Sequence, residues 1–299
     1  MTYPNGLSAF PLTPANEAGS VDSNALRDLL QPLVAAKVDS IGLLGSTGTY
    51  AYLAREERRR AIETAVEVCG AVPVIAGVGA LRTDDAVQLA QDARSAGAAA
   101  GLLAPVSYTP LNDEEVFEHF TTVARRSGLP ICVYDNPATT HFRFNPQLIG
   151  RLSRVEGIVA VKSPSPDAAA IGAHNAELRA AVAEGFSLGY SGDWNSVEGL
   201  IVGAATWYSV LAGLFPEVCL AIVRAAQSGD SEGARLLNSA LAPVWALFTK
   251  YSSLRVAYAI ADIRGVCRTE PPRPILPLPA EARAKVETVL AGLSPECLR

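Results

Sequence analysis

Lysine is scarce in this chain: of 25 Lys and Arg residues, four are lysine. Lys37 closes the helix-like "LLQPLVAAK", where a cation suits the negative end of a helix dipole, and Lys250 and Lys285 lie in polar or helical C-terminal stretches. Lys162 has no such ordinary setting. In "GIVAVKSPSP" it follows Ile158, Val159, Ala160 and Val161 and precedes two prolines, a pattern that reads as a buried strand ending at Val161. An ammonium there must be paired, exposed at the strand's end or chemically employed, because burying it alone is costly. A lysine in a partly apolar pocket loses some preference for its charged form, and a neutral amine attacks ketones to give a Schiff base. The iminium draws electrons from the neighbouring carbon, so a bond beyond it can form or break through an enamine. Those steps move protons, which a positioned hydroxyl can relay. Tyr134 in "VYDNPATT", Tyr108 in "APVSYTP" and Ser46 with Thr47 in "GLLGSTGTY" are the candidates. Backbone amides of the glycine-framed turn Gly45–Gly48 suit a substrate carboxylate.

Such side chains must be gathered by a scaffold. Candidate strands recur about every thirty residues, at 7–10, 40–44, 73–77, 99–104, 130–134, 157–161, 186–190 and 204–209, with helix-like stretches such as "NALRDLLQPLVAAK", "REERRRAIETAVEVC" and "DEEVFEHFTTVARRS" between them. Apolar strands alternating with helices predict an α/β fold of the (β/α)8 TIM-barrel type, whose working residues collect at the C-terminal strand ends. Asp113, Thr83 and Asn195 are expected N-caps, and Gly97 and Gly128 expected helix terminators. Beyond about residue 212 the pattern is helical only, which predicts a barrel over 1–225 and a C-terminal helical region over 226–299. The Pro-rich 269–281 is expected to be an extended surface segment.

Composition narrows the chemistry. A net charge of −5 with interspersed signs offers no basic face for nucleic acid, and the arginines of "REERRR" are expected on a solvated or interface face of a helix. His119, His141 and His174 are scattered without metal-ligand spacing, so no metal is expected. Five cysteines, odd in number and without a CxxC pair, favour a reducing compartment. The start "MTYPNGLSAF" lacks a secretory pattern and no long apolar run appears, so a cytoplasmic protein without a membrane partner is expected.

In order and spacing the motifs resemble the dihydrodipicolinate synthase and N-acetylneuraminate lyase family of Schiff-base aldolases. The resemblance runs through "PLTP", "GSTGTYAYLAREER" (like GTTGE or GSTGE), "PVIAGVG", "APVSYTPLNDEEVFEHF", "YDNPATT" (like YNxP), "GIVAVKSPS" (like GIxGIKE/D) and "SGDW" (like SGDD). It implies that Lys162 forms the Schiff base with pyruvate or a related 2-keto acid, that Tyr134 is the catalytic phenol, that Ser46 belongs to the proton relay, and that Thr47 with Gly48 holds the keto-acid carboxylate. Tyr108 would correspond to a relay tyrosine reaching across a subunit contact, implying a homo-oligomer, a dimer or tetramer. The family needs no metal or organic cofactor. Departures accompany the likeness. Thr139 stands where the synthase branch has a carboxylate-binding arginine, with Arg143 the nearest cation in sequence; Thr49 and Ser163 replace acidic or equivalent residues. Trp207 and Tyr208 stand where smaller residues are usual near the pocket. The expected activity is therefore a lyase or aldolase with an acceptor different from the synthase's. The alternatives are a dehydratase or hydratase-aldolase using the same lysine, a genuine 4-hydroxy-tetrahydrodipicolinate synthase, and a non-catalytic keto-acid-binding protein. Asp193 is expected to organise the loop after the seventh strand.

Overall fold

The computed structural model describes residues 3–298. The chain alternates β1 (Gly6–Ala9), α1 (Ser23–Ala36), β2 (Ser40–Leu43), α2 (Arg55–Cys69), β3 (Val74–Gly77), α3 (Thr83–Ser95), β4 (Ala100–Leu103) and α4 (Asp113–Ser127). It continues through β5 (Ile131–Tyr134), the short α5 (Pro137–Thr140), α6 (Pro146–Leu152), β6 (Ile158–Pro164), α7 (Ile171–Ala181), β7 (Ser187–Ser191), α8 (Asp193–Ile201), β8 (Thr206–Ser209) and α9 (Pro216–Gln227). The eight strands form one closed parallel barrel in chain order, β8 pairing with β1. α10 (Ser231–Ala240), α11 (Ala242–Tyr251), α12 (Ser253–Ile263) and α13 (Ala280–Gly292) follow. A division at 225/226 would cut the last turn of α9, which packs on α8 and β1. We place the boundary of the barrel at the turn after Gln227.

Every strand is buried on both faces, which is why the run of apolar residues is continuous. Leu7, Ile41, Leu43, Val133, Val161 and Leu188 face the helices. Alternate positions form a separate interior cluster that includes Phe10, Ile75, Leu102, Cys132, Tyr134 and Tyr208. Two glycines make room for it: a Cβ on Gly42 would lie 2.2 Å from the Phe10 ring, and one on Gly189 would lie 2.5 Å from Tyr208. Tyr3 closes the N-terminal end of the barrel from below, accepting a hydrogen bond from the Tyr208 hydroxyl at 3.1 Å.

Three expectations are corrected at the helix starts. Asn112, not Asp113, caps α4 in a capping box with Glu115; Arg82 precedes α3 without a side-chain cap; Asn195 lies inside α8, behind Gly192. Lys37 and Gly128 end their helices in left-handed conformation, both with φ 61°. The correction that matters for chemistry is in β6. Lys162 does not follow the strand but lies within it, paired with Tyr134 of β5 and Gly189 of β7. Pro164 can end the strand because its missing N–H falls on the β5 side, where Asp135 donates to the Lys162 carbonyl at 3.0 Å and the chain then enters α5. On the other side Ser165 still donates to the Ser191 carbonyl at 2.7 Å. Among the described residues, no helix is long and apolar enough to cross a membrane.

Candidate active site

β6 carries Lys162 into the barrel mouth, where the residue is 4% exposed. Its Nζ lies 3.9 Å from the Phe10 ring centroid, 4.2 Å from that of Tyr134 and 5.8 Å from that of Tyr208. Aromatic faces attract a cation without forming a hydrogen bond or an ion pair to it, and among the described residues no carboxylate pairs with Lys162. Below the amine the titratable groups are held neutral. Burial, with neighbouring Cys132, holds the Tyr208 hydroxyl well above its ordinary range; burial raises Cys132 and Tyr3 as well. The Tyr208 hydroxyl is engaged with Tyr3 and lies 3.6 Å from Cys132 Sγ, so its ring rather than its hydroxyl faces Lys162.

The strand ends β2 and β5 bring three polar side chains together beside that amine. Ser46 Oγ and Tyr134 Oη are 3.0 Å apart, and Asn136 Nδ2 donates to Ser46 Oγ at 3.2 Å and to Tyr134 Oη at 3.0 Å. By residue type alone Asn136 reads as no more than a hydrogen-bonding contact for a substrate. The signal for more was its position two residues after Tyr134, because i and i+2 share a face of extended chain. The turn after β2 is bounded by Leu44 and Thr49 in left-handed conformation, φ 56° and 53°. Thr49 N–H closes it onto the Ser46 carbonyl at 3.1 Å. The N–H groups of Thr47 and Gly48 have no acceptor within the described residues, which leaves two donors for an anion.

Other predicted residues lie apart from this cluster. Tyr108 is 98% exposed, projecting from the loop after β4. Thr139 is exposed in α5, its hydroxyl donating to the Asn136 carbonyl at 3.2 Å. Arg143 is exposed, and its charge acts on the buried Asp135. Trp207 is corrected: it faces the helices, not the pocket, because Thr206 and Tyr208 take the inward positions of β8, and its Nε1 donates to Asp193 Oδ1 at 3.2 Å. Asp193 also accepts from Ser209 Oγ, Val210 N–H and Leu211 N–H. It thus ties the start of α8 to the loop after β8. Burial pushes its pKa up to about 6, against those hydrogen bonds.

Arg58 departs from the solvated face expected for "REERRR". It is 7% exposed and donates to the Leu53 carbonyl at 3.3 Å and the Gly79 carbonyl at 2.9 Å. Its guanidinium stacks over Tyr50, 5.0 Å from the centroid, so two carbonyls and a ring replace its hydration. Tyr50 was missed by the sequence reading; burial first, then the nearby Tyr134, push its phenol up to about 12. Its neighbours on the outer helix face behave as expected, Arg59 pairing with Glu63 and Arg60 with Glu57. A cavity of about 810 Å³ opens behind the turn, between Thr13, Thr49 and Tyr258, away from Lys162.

A parallel barrel with an aromatic-caged lysine on its sixth strand and a hydroxyl cluster beside it defines an aldolase-type lyase of the (β/α)8 class. The model of the Dihydrodipicolinate synthetase family matches residues 3–292, and the chain belongs to that family. It is 34% identical over 281 residues to the 4-hydroxy-tetrahydrodipicolinate synthase of Hyphomonas neptunium, covering 92% of this chain and 94% of that protein. The crystal structure of a dihydrodipicolinate synthase from Agrobacterium tumefaciens superposes with a TM-score of 0.95 at 52% identity, over 97% of this chain and 98% of that one. A chloride-inhibited dihydrodipicolinate synthase from Acinetobacter baumannii, complexed with pyruvate, superposes with a TM-score of 0.88 at 26% identity, over 97% and 98% of the two chains.

Proposed function

We propose that this lyase binds pyruvate or a related 2-keto acid as a Schiff base on Lys162 and acts on a partner whose distal end is neutral or hydroxylated. The observation that carries the reading is the amine itself, buried in the barrel mouth against three aromatic rings without a carboxylate partner among the described residues. Attack by Nζ on the keto carbon gives a carbinolamine, and a proton delivered to its hydroxyl lets water leave as the iminium forms. Cleavage of the C–C bond beyond the adjacent carbon releases an aldehyde and leaves an enamine; protonation and hydrolysis then return the keto acid and the free lysine. Tyr134, linked to Ser46, carries these protons. The unsatisfied N–H groups of Thr47 and Gly48 hold the keto-acid carboxylate, the Tyr208 ring forms the floor, and Tyr108 belongs to a contact with a second copy. The chemistry requires no cofactor, and five free, buried cysteines fit a cytoplasmic setting.

Thr139 sets the partner. A bidentate guanidinium binds a distal carboxylate by charge-assisted bonds, which a neutral hydroxyl cannot reproduce; hydrogen bonds to charged groups contribute about 1.5–3 kcal/mol against about 1 for neutral ones. The exposed Arg143 acts on the buried Asp135 only through its charge. We therefore expect slow turnover of pyruvate with aspartate semialdehyde and faster turnover of hydroxylated keto acids or sugar acids. The names of the relatives favour a second reading, the genuine synthase. Steady-state kinetics with both substrate sets separates them: a kcat/KM near 10⁵ M⁻¹s⁻¹ for the synthase reaction, within the ordinary enzyme range, would reject the first reading. Product analysis tests for dehydration, since loss of water with the carbon skeleton retained replaces pyruvate plus aldehyde.

A further inference from the structure

We infer that Asn136 is a positioning residue that fixes the direction of proton transfer in the Ser46–Tyr134 pair, an inference that rests on the Schiff-base reading above. Three heavy atoms, Ser46 Oγ, Tyr134 Oη and Asn136 Nδ2, stand in mutual contact at 3.0, 3.0 and 3.2 Å. Three contacts need three hydrogens. The amide supplies two, one to each oxygen, and one hydroxyl hydrogen closes the third side. The opposite amide orientation fails this count: both hydroxyls would donate to Oδ1, leaving two oxygens at 3.0 Å with no hydrogen between them. With the amide nitrogen inward, the pair retains one uncommitted hydrogen, available to a substrate oxygen held over Lys162.

The same triangle then receives the charge. When the carbinolamine hydroxyl takes the spare proton and leaves as water, a negative charge is left on the pair. If it rests on Tyr134 Oη, that oxygen accepts from Asn136 N–H and from Ser46 O–H. Donors aimed at where charge develops stabilise the transition state without rearrangement. They also favour the deprotonated form of the acceptor. The proton returns when the iminium is hydrolysed, so the cycle balances without an outside acid or base. Asn136 is placed for this by the chain itself: Thr139 and Thr140 hydroxyls donate to its carbonyl at 3.2 and 3.1 Å, and Thr140 N–H bonds the same carbonyl at 3.0 Å. Both amide hydrogens being committed, Asn136 has none to give the acceptor's distal end.

The test uses the full-length protein with Asn136→Leu, which removes the donors at similar volume, and Asn136→Asp, which keeps the shape but offers acceptors only. Circular dichroism and thermal midpoint establish that each variant is folded. Borohydride trapping with pyruvate should reach the same final extent on Lys162 as in the unsubstituted protein. The rate of imine formation should fall roughly ten- to a hundredfold, the scale of one hydrogen bond to a charged group. The pyruvate concentration that gives half the maximal rate should hold, because the loss falls on proton transfer and not on binding, and Asn136→Asp, with no donor to offer, should be at least as slow as Asn136→Leu. A folded variant of either kind that keeps the unsubstituted rate, or that loses pyruvate affinity instead of rate, would overturn the role of Asn136 alone. Failure to trap Lys162 in the unsubstituted protein would overturn the Schiff-base reading and this inference with it.

Discussion

Tyr134 is held at three points: its ring lies against Lys162, and its hydroxyl contacts both Ser46 and Asn136. Tyr134→Phe keeps the ring and removes the transferable proton. Imine formation, followed by stopped-flow absorbance or quenched trapping, should slow roughly 10²–10⁴-fold, the usual effect of losing a general acid–base group, while the fold persists. An unchanged rate would remove this phenol from the mechanism. Asp135, next in sequence, points away from the mouth; it is 7% exposed, its Oδ1 lacks a partner among the described residues, and burial pushes its pKa up to about 7 from 3.8. The sign follows from linkage: the folded state holds this proton more tightly, so stability falls as pH rises from about 4 to about 7 and levels off above. Asp135→Asn should remove that fall. Denaturant unfolding should show the variant gaining on the unsubstituted protein by up to about 4 kcal/mol between pH 4 and pH 8; parallel pH dependence in the two proteins would contradict the assignment. Asp193, raised to about 6 by burial, contributes a fall in the same direction that both proteins share.

At the level of elements, the cage around Lys162 depends on what the strands omit. Gly42→Ala would place a methyl 2.2 Å from the buried Phe10 ring, and overpacking of this kind typically costs about 1–3 kcal/mol. Because that ring is also a wall of the lysine site, both the unfolding free energy and the imine-forming rate should drop; a variant equal to the unsubstituted protein in both would show that the ring moves freely. The strands were legible because burial on both faces leaves an uninterrupted apolar signature, and all eight were located to within a residue or two at their starts. What periodicity could not reveal is which way a residue faces when both faces are apolar. Trp207 and Tyr208 are equally buried, yet one packs under the helices and the other inside the barrel. The extension of β6 through Lys162 to Pro164 was hidden by the proline, whose cost vanishes only where the neighbouring strand has ended. The buried Arg58 looked like a surface charge because its partners, two carbonyls and Tyr50, are brought together only by the fold. Lys162, Tyr134 and Ser46 were legible by residue type at strand ends; the bridging amide of Asn136 required the distances.

For the whole molecule, Tyr108, Leu81 and Tyr52 are 98%, 67% and 45% exposed, three large side chains on the segments that follow β4, β3 and β2 at the barrel mouth. We expect these loops to meet a second copy of the chain, so light scattering should give a homo-oligomer, and Tyr108→Ala should weaken the association; a fully active monomer would contradict this. The Schiff-base account of the whole molecule is tested most directly by incubating the protein with pyruvate, reducing with borohydride and mapping the modified peptide by mass. Lys37, Lys250 and Lys285 lie outside the barrel interior, at the end of α1, in α11 and in α13, whereas Lys162 alone of the four lies in a strand. The account predicts one added carboxyethyl group per chain, on the peptide containing Lys162 and lost in Lys162→Ala. Modification absent from that peptide, or spread equally to Lys250, would contradict it.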